Sequence, residues 1–343
     1  MIRLKLFGFA VASVLTAFAQ NGSAAGATAA TQSAERNISE WLMRMHEASR
    51  KRAYTGTFVV SSSVSMASSK IWHICDGENQ IERIESLTGA PRSTFRRNED
   101  VITFRPEAKT ATVEKRDSLG LFPGSLKAVD SSISHHYSAK LVGAERVAGL
   151  EADVVHLEPK DSLRYGYRVW SEKKSGLVVK LQTLDTDGKV LEQAAYSELQ
   201  LEAPVSMAKL AKMMTNTDGY RIERPEMVKT TAASEGWSLK QPAPGFKPMS
   251  CYKRQVTKTE NGQVENAMQW IFSDGLASVS VFAEGFDRNR HLQEGMTIVG
   301  ATRSMTKLVV DRNDKNQQWW LTVVGEVPAA TLTNFVQGLE RRK

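Results

Sequence analysis

Between residues 54 and 199 the apolar side chains recur at every second position, in short runs cut by turn residues, and this period limits the fold more than any other feature. Alternation puts successive side chains on opposite faces of a strand, so a stretch this long builds sheet rather than helix. A first group of strands, at residues 54–60, 70–75, 80–84, 94–97, 101–104 and 110–114, reads as an antiparallel meander. Its dividers include Asp76-Gly77, Gly89-Ala90-Pro91, Asn98-Glu99-Asp100 and Pro106, each supplying a bend that a ladder disfavours. A second group spans 137–141, 153–158, 163–170, 177–184 and 190–199, with hairpin turns at Lys174-Ser175-Gly176 and Asp185-Thr186-Asp187-Gly188 that fix register.

Ahead of the strands, Asn37 followed by Glu40 forms a capping box. Ile38, Trp41, Leu42, Met45 and Ala48 then recur at helical spacing up to Arg50-Lys51-Arg52. This predicts one amphipathic helix laid over a side of the sheet. Between residues 202 and 234 the strand pattern lapses, and a linker with a short helix at 207–214 is expected. Beyond it, strands at 263–272, 277–283, 297–299, 307–311 and 317–324 precede a helix over about 329–340. Pro328 suits that helix's first turn, and Leu332, Phe335 and Val336 share one of its faces. The expected fold class is therefore α+β and β-rich. It divides into a large N-terminal domain at 33–203, a linker at 204–233 and a smaller α+β domain at 234–343.

Arg3 and Lys5 precede an apolar run from Leu6 to Ala19. The run is shorter than the ~20 residues a membrane-spanning helix needs. It reads as a secretory signal at residues 1–25, cleaved after Ala17-Phe18-Ala19 or after Ser23-Ala24-Ala25. The Ala/Gly/Ser/Thr-rich stretch at 20–32 then serves as a disordered leader. With no cysteine near either site for lipid attachment, the mature chain is expected free in solution outside the cytoplasm. The formal charge of +7 falls to +5 when Arg3 and Lys5 leave, since the first 25 residues hold no carboxylate. That excess favours anionic partners such as a membrane surface, lipopolysaccharide or an acidic peptide, and nucleic acid is not expected in that compartment. Cys75 and Cys251 sit where disulfides form, and pairing and two free thiols both stay open.

Catalytic patterns are missing. His46-Glu47 opens like a zinc-protease motif, but Arg50 occupies the second ligand position. His135-His136 is the one adjacent pair among six histidines, and neighbours on a strand face opposite ways. No phosphate-binding glycine loop, G-x-S-x-G elbow or C-x-x-C is present. No catalytic, cofactor or metal site is expected, and the chain reads as a binding module. Aromatics at alternating positions, among them Phe58, Trp72, Phe95, Phe104, Tyr167 and Trp170, first of all fill a core. The sharper reading is a sheet curved around an apolar cavity that takes an acyl chain, each buried methylene contributing ~0.8 kcal/mol.

Three stretches occur in a telling order. Arg146-Val147-Ala148-Gly149 and Val154-Val155-His156-Leu157-Glu158-Pro159 lead to Leu163-Arg164-Tyr165-Gly166-Tyr167-Arg168-Val169-Trp170. Trp237-Ser238-Leu239 and Pro242-Ala243-Pro244-Gly245-Phe246 precede Phe272-Ser273-Asp274-Gly275-Leu276-Ala277-Ser278-Val279-Ser280-Val281. Val323-Val324-Gly325-Glu326-Val327-Pro328 then enters the last helix. Together they resemble the RseB/MucB family of periplasmic regulators of sigma-E (AlgU-type) envelope stress responses. Departures are confined to loops: Gly89-Ala90-Pro91-Arg92 lacks an acidic neighbour, and residues 61–69 are Ser-rich.

The resemblance implies an unclosed antiparallel β-barrel similar to the lipoprotein carriers, packed with helices, followed by a domain that binds an anti-sigma factor. It implies as partners the periplasmic segment of an RseA/MucA-like anti-sigma factor, shielded from site-1 proteolysis, and lipopolysaccharide or lipoprotein acyl chains as the stress signal. A homodimer is compatible with it. Within this frame Trp72, Phe104 and Trp170 are expected at the acyl-chain cavity, and Trp237, Phe246 and Trp320 at the anti-sigma-factor surface. A lipoprotein or lipid carrier is the rival reading, against which the residues from Trp237 onward speak, because carriers stop after one domain.

Overall fold

The computed structural model describes residues 36–77, 79–115, 132–258, 264–310 and 317–342. The signal and leader read at residues 1–32 lie outside the described residues, as do residues 263 and 311 at two predicted strand ends. The chain opens with α1 (Ile38–Lys51), β1 (Tyr54–Ser62), β2 (Met66–Asp76), β3 (Asn79–Ser86), β4 (Ser93–Arg97), β5 (Asp100–Arg105) and β6 (Thr110–Lys115). Next come α2 (Ile133–His136), β7 (Tyr137–Val147), β8 (Leu150–Pro159), β9 (Gly166–Glu172), β10 (Val178–Leu184) and β11 (Val190–Leu201). Then α3 (Met207–Thr215), β12 (Arg221–Glu223), β13 (Met227–Lys229), β14 (Trp237–Leu239) and β15 (Lys247–Lys258) lead into β16 (Val264–Ser273) and β17 (Ser278–Gly285). The last elements are β18 (Gly295–Val299), β19 (Thr302–Val310), β20 (Gln318–Gly325), α4 (Ala329–Gly338) and β21 (Leu339–Arg341).

Twelve strands form one sheet, ordered β12-β6-β5-β4-β3-β2-β1-β11-β10-β9-β8-β7, which does not close on itself. The two predicted strand groups are halves of this sheet, joined because β1 pairs with both β2 and β11. One pair departs from the expected antiparallel pattern: β12 runs parallel to β6, since the chain crosses over through α3 before returning to the edge. A second sheet of seven strands runs β13-β15-β16-β17-β20-β19-β18, and β14 pairs with β21. The fold is thus α+β, with two sheets each backed by helices.

α1 forms as its sequence dictates. Asn37 accepts from the Glu40 amide and Glu40 from the Asn37 amide, both at 3.0 Å, which caps the orphan donors. Its buried stripe is Ile38, Trp41, Leu42, Met45 and Ala48, and the larger of these contribute about 1.5–3 kcal/mol each on burial. Ile71 and Trp72, neighbours on β2, show how the first sheet divides its faces. Ile71 packs with Tyr54, Phe58, Trp170 and Ala48 on the α1 side. Trp72 packs with Phe95, Phe104, Leu210 and Met214 beneath α3. The second sheet buries Val279, Val281, Leu321 and Val323 against Leu332, Phe335 and Val336 of α4.

The Ser-rich stretch at 61–69 makes the β1–β2 hairpin, whose turn is closed by the Ser62 amide donating to the Ser65 carbonyl at 2.8 Å. His135 and His136 sit on the helical turn α2 rather than on a strand, because Ser132 and Ile133 begin a turn just before β7. No described helix is long and apolar enough to cross a membrane.

Candidate functional site

Two features stand out, a small apolar cavity on the α1 face of the first sheet and the junction between the sheets. The cavity, about 60 Å³, lies between the end of α1 and strands β1, β10 and β11. Tyr54, Phe58, Leu177, Val179, Leu181 and Tyr196 line it, with Lys180 at its border. Phe58 and Tyr196 meet edge to face, their centroids 6.0 Å apart. Gly56 makes this possible: a Cβ there would lie 2.6 Å from the Glu198 carbonyl oxygen and 2.9 Å from the Tyr196 ring. Such a site offers apolar contact beside one cation, and at this volume it takes a few carbons of an aliphatic end rather than a whole chain.

Beside the cavity a polar row crosses four strands, β1 to β4. Tyr54 stacks on His73 at 4.8 Å, and His73 donates through Nδ1 to the Arg52 carbonyl at 2.8 Å. Glu82 stands opposite His73 on one side and Arg96 on the other. Burial pushes the Glu82 carboxyl up to about 7, with the Arg96 charge opposing, and burial holds the His73 imidazole below its ordinary value.

The junction is built from the same stretches that carry the family resemblance. Arg164, on the turn before β9, is fully buried; its Nε faces Asp161 at 3.2 Å and its Nη1 faces Asp274 at 3.5 Å. Nη2 donates to the Pro244 carbonyl. Asp274, also fully buried, accepts from the Tyr137 hydroxyl at 3.1 Å through Oδ2. Its Oδ1 accepts from the Leu276 and Ala277 amides at 2.9 and 2.8 Å, which holds the β16–β17 turn. Burial keeps the Tyr137 phenol well above its usual range, so it stays a donor. Thr331 of α4 donates to the Leu163 carbonyl. Gly245, at φ +85°, packs directly on the His136 ring, where no side chain fits. Leu276 completes the contact by packing among Ile38 of α1 and Tyr137 and Tyr167 of the first sheet. It also borders a hollow of about 390 Å³ lined by Ser278, Phe282, Thr302, Val324 and Glu326.

The residues singled out from sequence are placed as follows. Trp72 and Phe104 come together on the α3 face, Trp72 with Arg83 4.7 Å from its ring and Phe104 edge-on to Phe95. Trp170 lies apart from them on the α1 face; its Nε1 donates to Glu145 at 2.8 Å and the Lys180 ammonium sits 4.1 Å from its ring. Trp237 and Phe246 share the core of the second sheet. Trp320 stands elsewhere, stacked on His291 at 4.9 Å. Arg164 and Asp274 were not singled out; their only signal was a charged residue inside each motif. Cys75 and Cys251 are free thiols on different sheets, and burial pushes the Cys251 thiol up to about 11. Among the described residues no cluster of three metal-ligating side chains occurs.

Comparison with known proteins covers both sheets. The MucB/RseB N-terminal domain family matches residues 37–214, and the MucB/RseB C-terminal domain family matches residues 231–340. The chain is 29% identical over 313 residues to the sigma factor AlgU regulatory protein MucB of Pseudomonas aeruginosa, covering 89% of this chain and 90% of that protein. It is 24% identical to the sigma-E factor regulatory protein RseB of Haemophilus influenzae, over 90% of this chain and 92% of the relative. Among solved structures, the Pseudomonas aeruginosa MucA/MucB complex matches with a TM-score of 0.68 at 25% identity, over 89% of this chain and 99% of the matched one. MucB in complex with MucA(peri) matches with a TM-score of 0.66 over the same shares.

Proposed function

Because the chain belongs to the MucB/RseB family, we propose that it is a periplasmic, non-catalytic regulator that binds the periplasmic segment of a membrane-spanning anti-sigma factor. Bound there, it shields the segment from site-1 proteolysis and keeps the envelope-stress sigma factor inactive. The observation that carries this reading is the likeness of both sheets, together, to MucB as found in complex with MucA. Shielding makes or breaks no bond, in keeping with a sequence that displays no catalytic motif. A signal at residues 1–25 delivers the chain. Residues 33–203 act as a half-barrel similar to the lipoprotein carriers, 204–233 as linker, and 234–343 as the anti-sigma-factor domain.

Release follows from linkage. A lipopolysaccharide or lipoprotein acyl chain that binds the free protein better than the complex weakens the complex by the same factor. The apolar cavity with Lys180 at its border is the place for the tip of that chain, and Trp170 backs it from the same core. The test is calorimetry of the mature protein against the purified periplasmic segment of the cognate anti-sigma factor, with and without lipopolysaccharide. Micromolar or tighter binding that lipopolysaccharide weakens is expected. No binding in either condition by folded protein would overturn the regulator reading and favour a lipid carrier.

A further inference from the structure

We propose that the outer edge of β18 is a strand-docking site for an extended acidic peptide segment, which pairs with it as an added strand of the second sheet. Among the described residues the two large sheets end on four strands, and three are blunted against such pairing. β7 carries a bulge between Leu141 and Gly143 and the charged Lys140, Glu145 and Arg146. β12 has three residues, of which Arg221 and Glu223 form an ion pair at 2.8 Å. β13 also has three and ends on Lys229.

β18 has none of these devices. All five of its residues, Gly295-Met296-Thr297-Ile298-Val299, are exposed, and none is charged or proline. Its register with β19 runs without a bulge from Gly295 opposite Thr306 to Val299 opposite Thr302. A flat, uncharged edge leaves a row of backbone donors and acceptors open to another chain, and soluble proteins that do not use such an edge protect it.

The side chains define the occupant. Met296 and Ile298, 40% and 54% exposed, lie on the face that holds Met305 against the core, so β18 extends that apolar face outward. Arg303, opposite Ile298, and Lys307 lie on the same face, and neither β18 nor β19 carries a carboxylate. Two acidic groups beside this edge are engaged: Glu294 accepts from the Leu308 amide at 3.1 Å, and Glu192 of the first sheet lies against Gly300. A strand laid here meets apolar contact at alternate positions and cations beside them. Acidic side chains in an extended segment complement that pattern.

The identity of the peptide rests on the regulator reading, so the experiment separates the two. The mature full-length protein is titrated with the purified periplasmic segment of the cognate anti-sigma factor and with ten-residue peptides tiling it. Hydrogen exchange is followed at residues 295–299. The variants are Ile298→Asp and Lys307→Glu, both at exposed positions, with thermal melts to show that each stays folded. Expected are at least a tenfold weaker complex in each variant, new amide protection at 295–299 on binding, and preferential binding of an acidic tile. Tight binding of the whole segment that neither variant alters by more than twofold, without protection at 295–299, overturns strand docking and leaves the regulator reading intact. Failure of the whole segment to bind overturns both. A dimer lost in Ile298→Asp, with peptide affinity unchanged, assigns the edge to a second copy and overturns the peptide proposal.

Discussion

Removing the Asp274 carboxylate should unfasten the two sheets from one another. In the native protein Asp274 compensates the buried Arg164 guanidinium, accepts from Tyr137 and holds two turn amides. Asp274→Ala strips all of these at once. Breaking a buried ion pair from one side costs about 3–5 kcal/mol, because the remaining charge is left without its counterion. Asp161, on the junction's partly exposed side, and the Pro244 carbonyl soften that cost without cancelling it. Asp274→Asn keeps an oxygen for the turn amides and loses only the charge, so about 2–3 kcal/mol is expected. Adding Arg164→Met removes the stranded cation and should restore at least about 1.5 kcal/mol, a coupling found only between directly interacting groups. Urea denaturation followed by circular dichroism measures all five proteins, the Arg164→Met single variant included, and loosening of the junction should appear as a second, earlier transition. If both Asp274 variants stay within about 0.5 kcal/mol of the parent, or the double variant is additive, the pair does not hold the junction.

Three further outcomes are expected. Glu82 carries a folded-state value of about 7, above its unfolded one, so the native state binds the extra proton between those values. Stability from this group is therefore full in acid and lost as pH rises toward 7, by about 1–2 kcal/mol after allowing for its partial exposure. Urea midpoints at pH 5 and pH 8 should differ less in Glu82→Gln than in the parent, and an unchanged difference refutes the assignment. Gly56→Ala should cost about 1–3 kcal/mol by overpacking against Glu198 and Tyr196, and a neutral result in the same assay would show that β1 and β11 yield there. Trp170→Ala, at a residue only 2% exposed, should cost about 3–5 kcal/mol and weaken binding of a fluorescent fatty acid. Unaltered fatty-acid binding by the folded variant removes Trp170 from the acyl-chain site.

How far the sequence could be read depends on where each signal lives. α1 was legible to the residue, since its cap and apolar stripe are both local. β15 was not, because between Lys247 and Gln255 only Cys251 is a buried apolar residue and no alternation shows. β19 begins at Thr302, five residues before the predicted start, for the same reason: Thr302 to Thr306 are all half-buried. Alternation sorted Trp72 from Ile71 but could not say which face of the sheet meets α1, so Trp72 and Trp170 were grouped although they sit on different faces. The Arg164–Asp274 contact joins residues far apart in the chain, and no spacing rule reaches it. The free state of Cys75 and Cys251 is likewise a matter of distance in space, on which the sequence is silent.

The stretch read as a linker with a short helix between residues 202 and 234 is stitched down along most of its length. α3 lies on the first sheet, β12 extends that sheet, and β13 already belongs to the second. Between the two strands run Arg224-Pro225-Glu226, with the Glu226 carbonyl already accepting from the Gln255 amide of β15 at 3.3 Å. The sheets are thus fastened at more than one place, among them the three-residue strap and the junction around Arg164 and Asp274. A body held at two separate points resists twisting in a way that a body on a single tether does not. A pull on the second sheet, such as tension in a captured membrane-anchored chain, is therefore transmitted to the first as torque and not absorbed as slack.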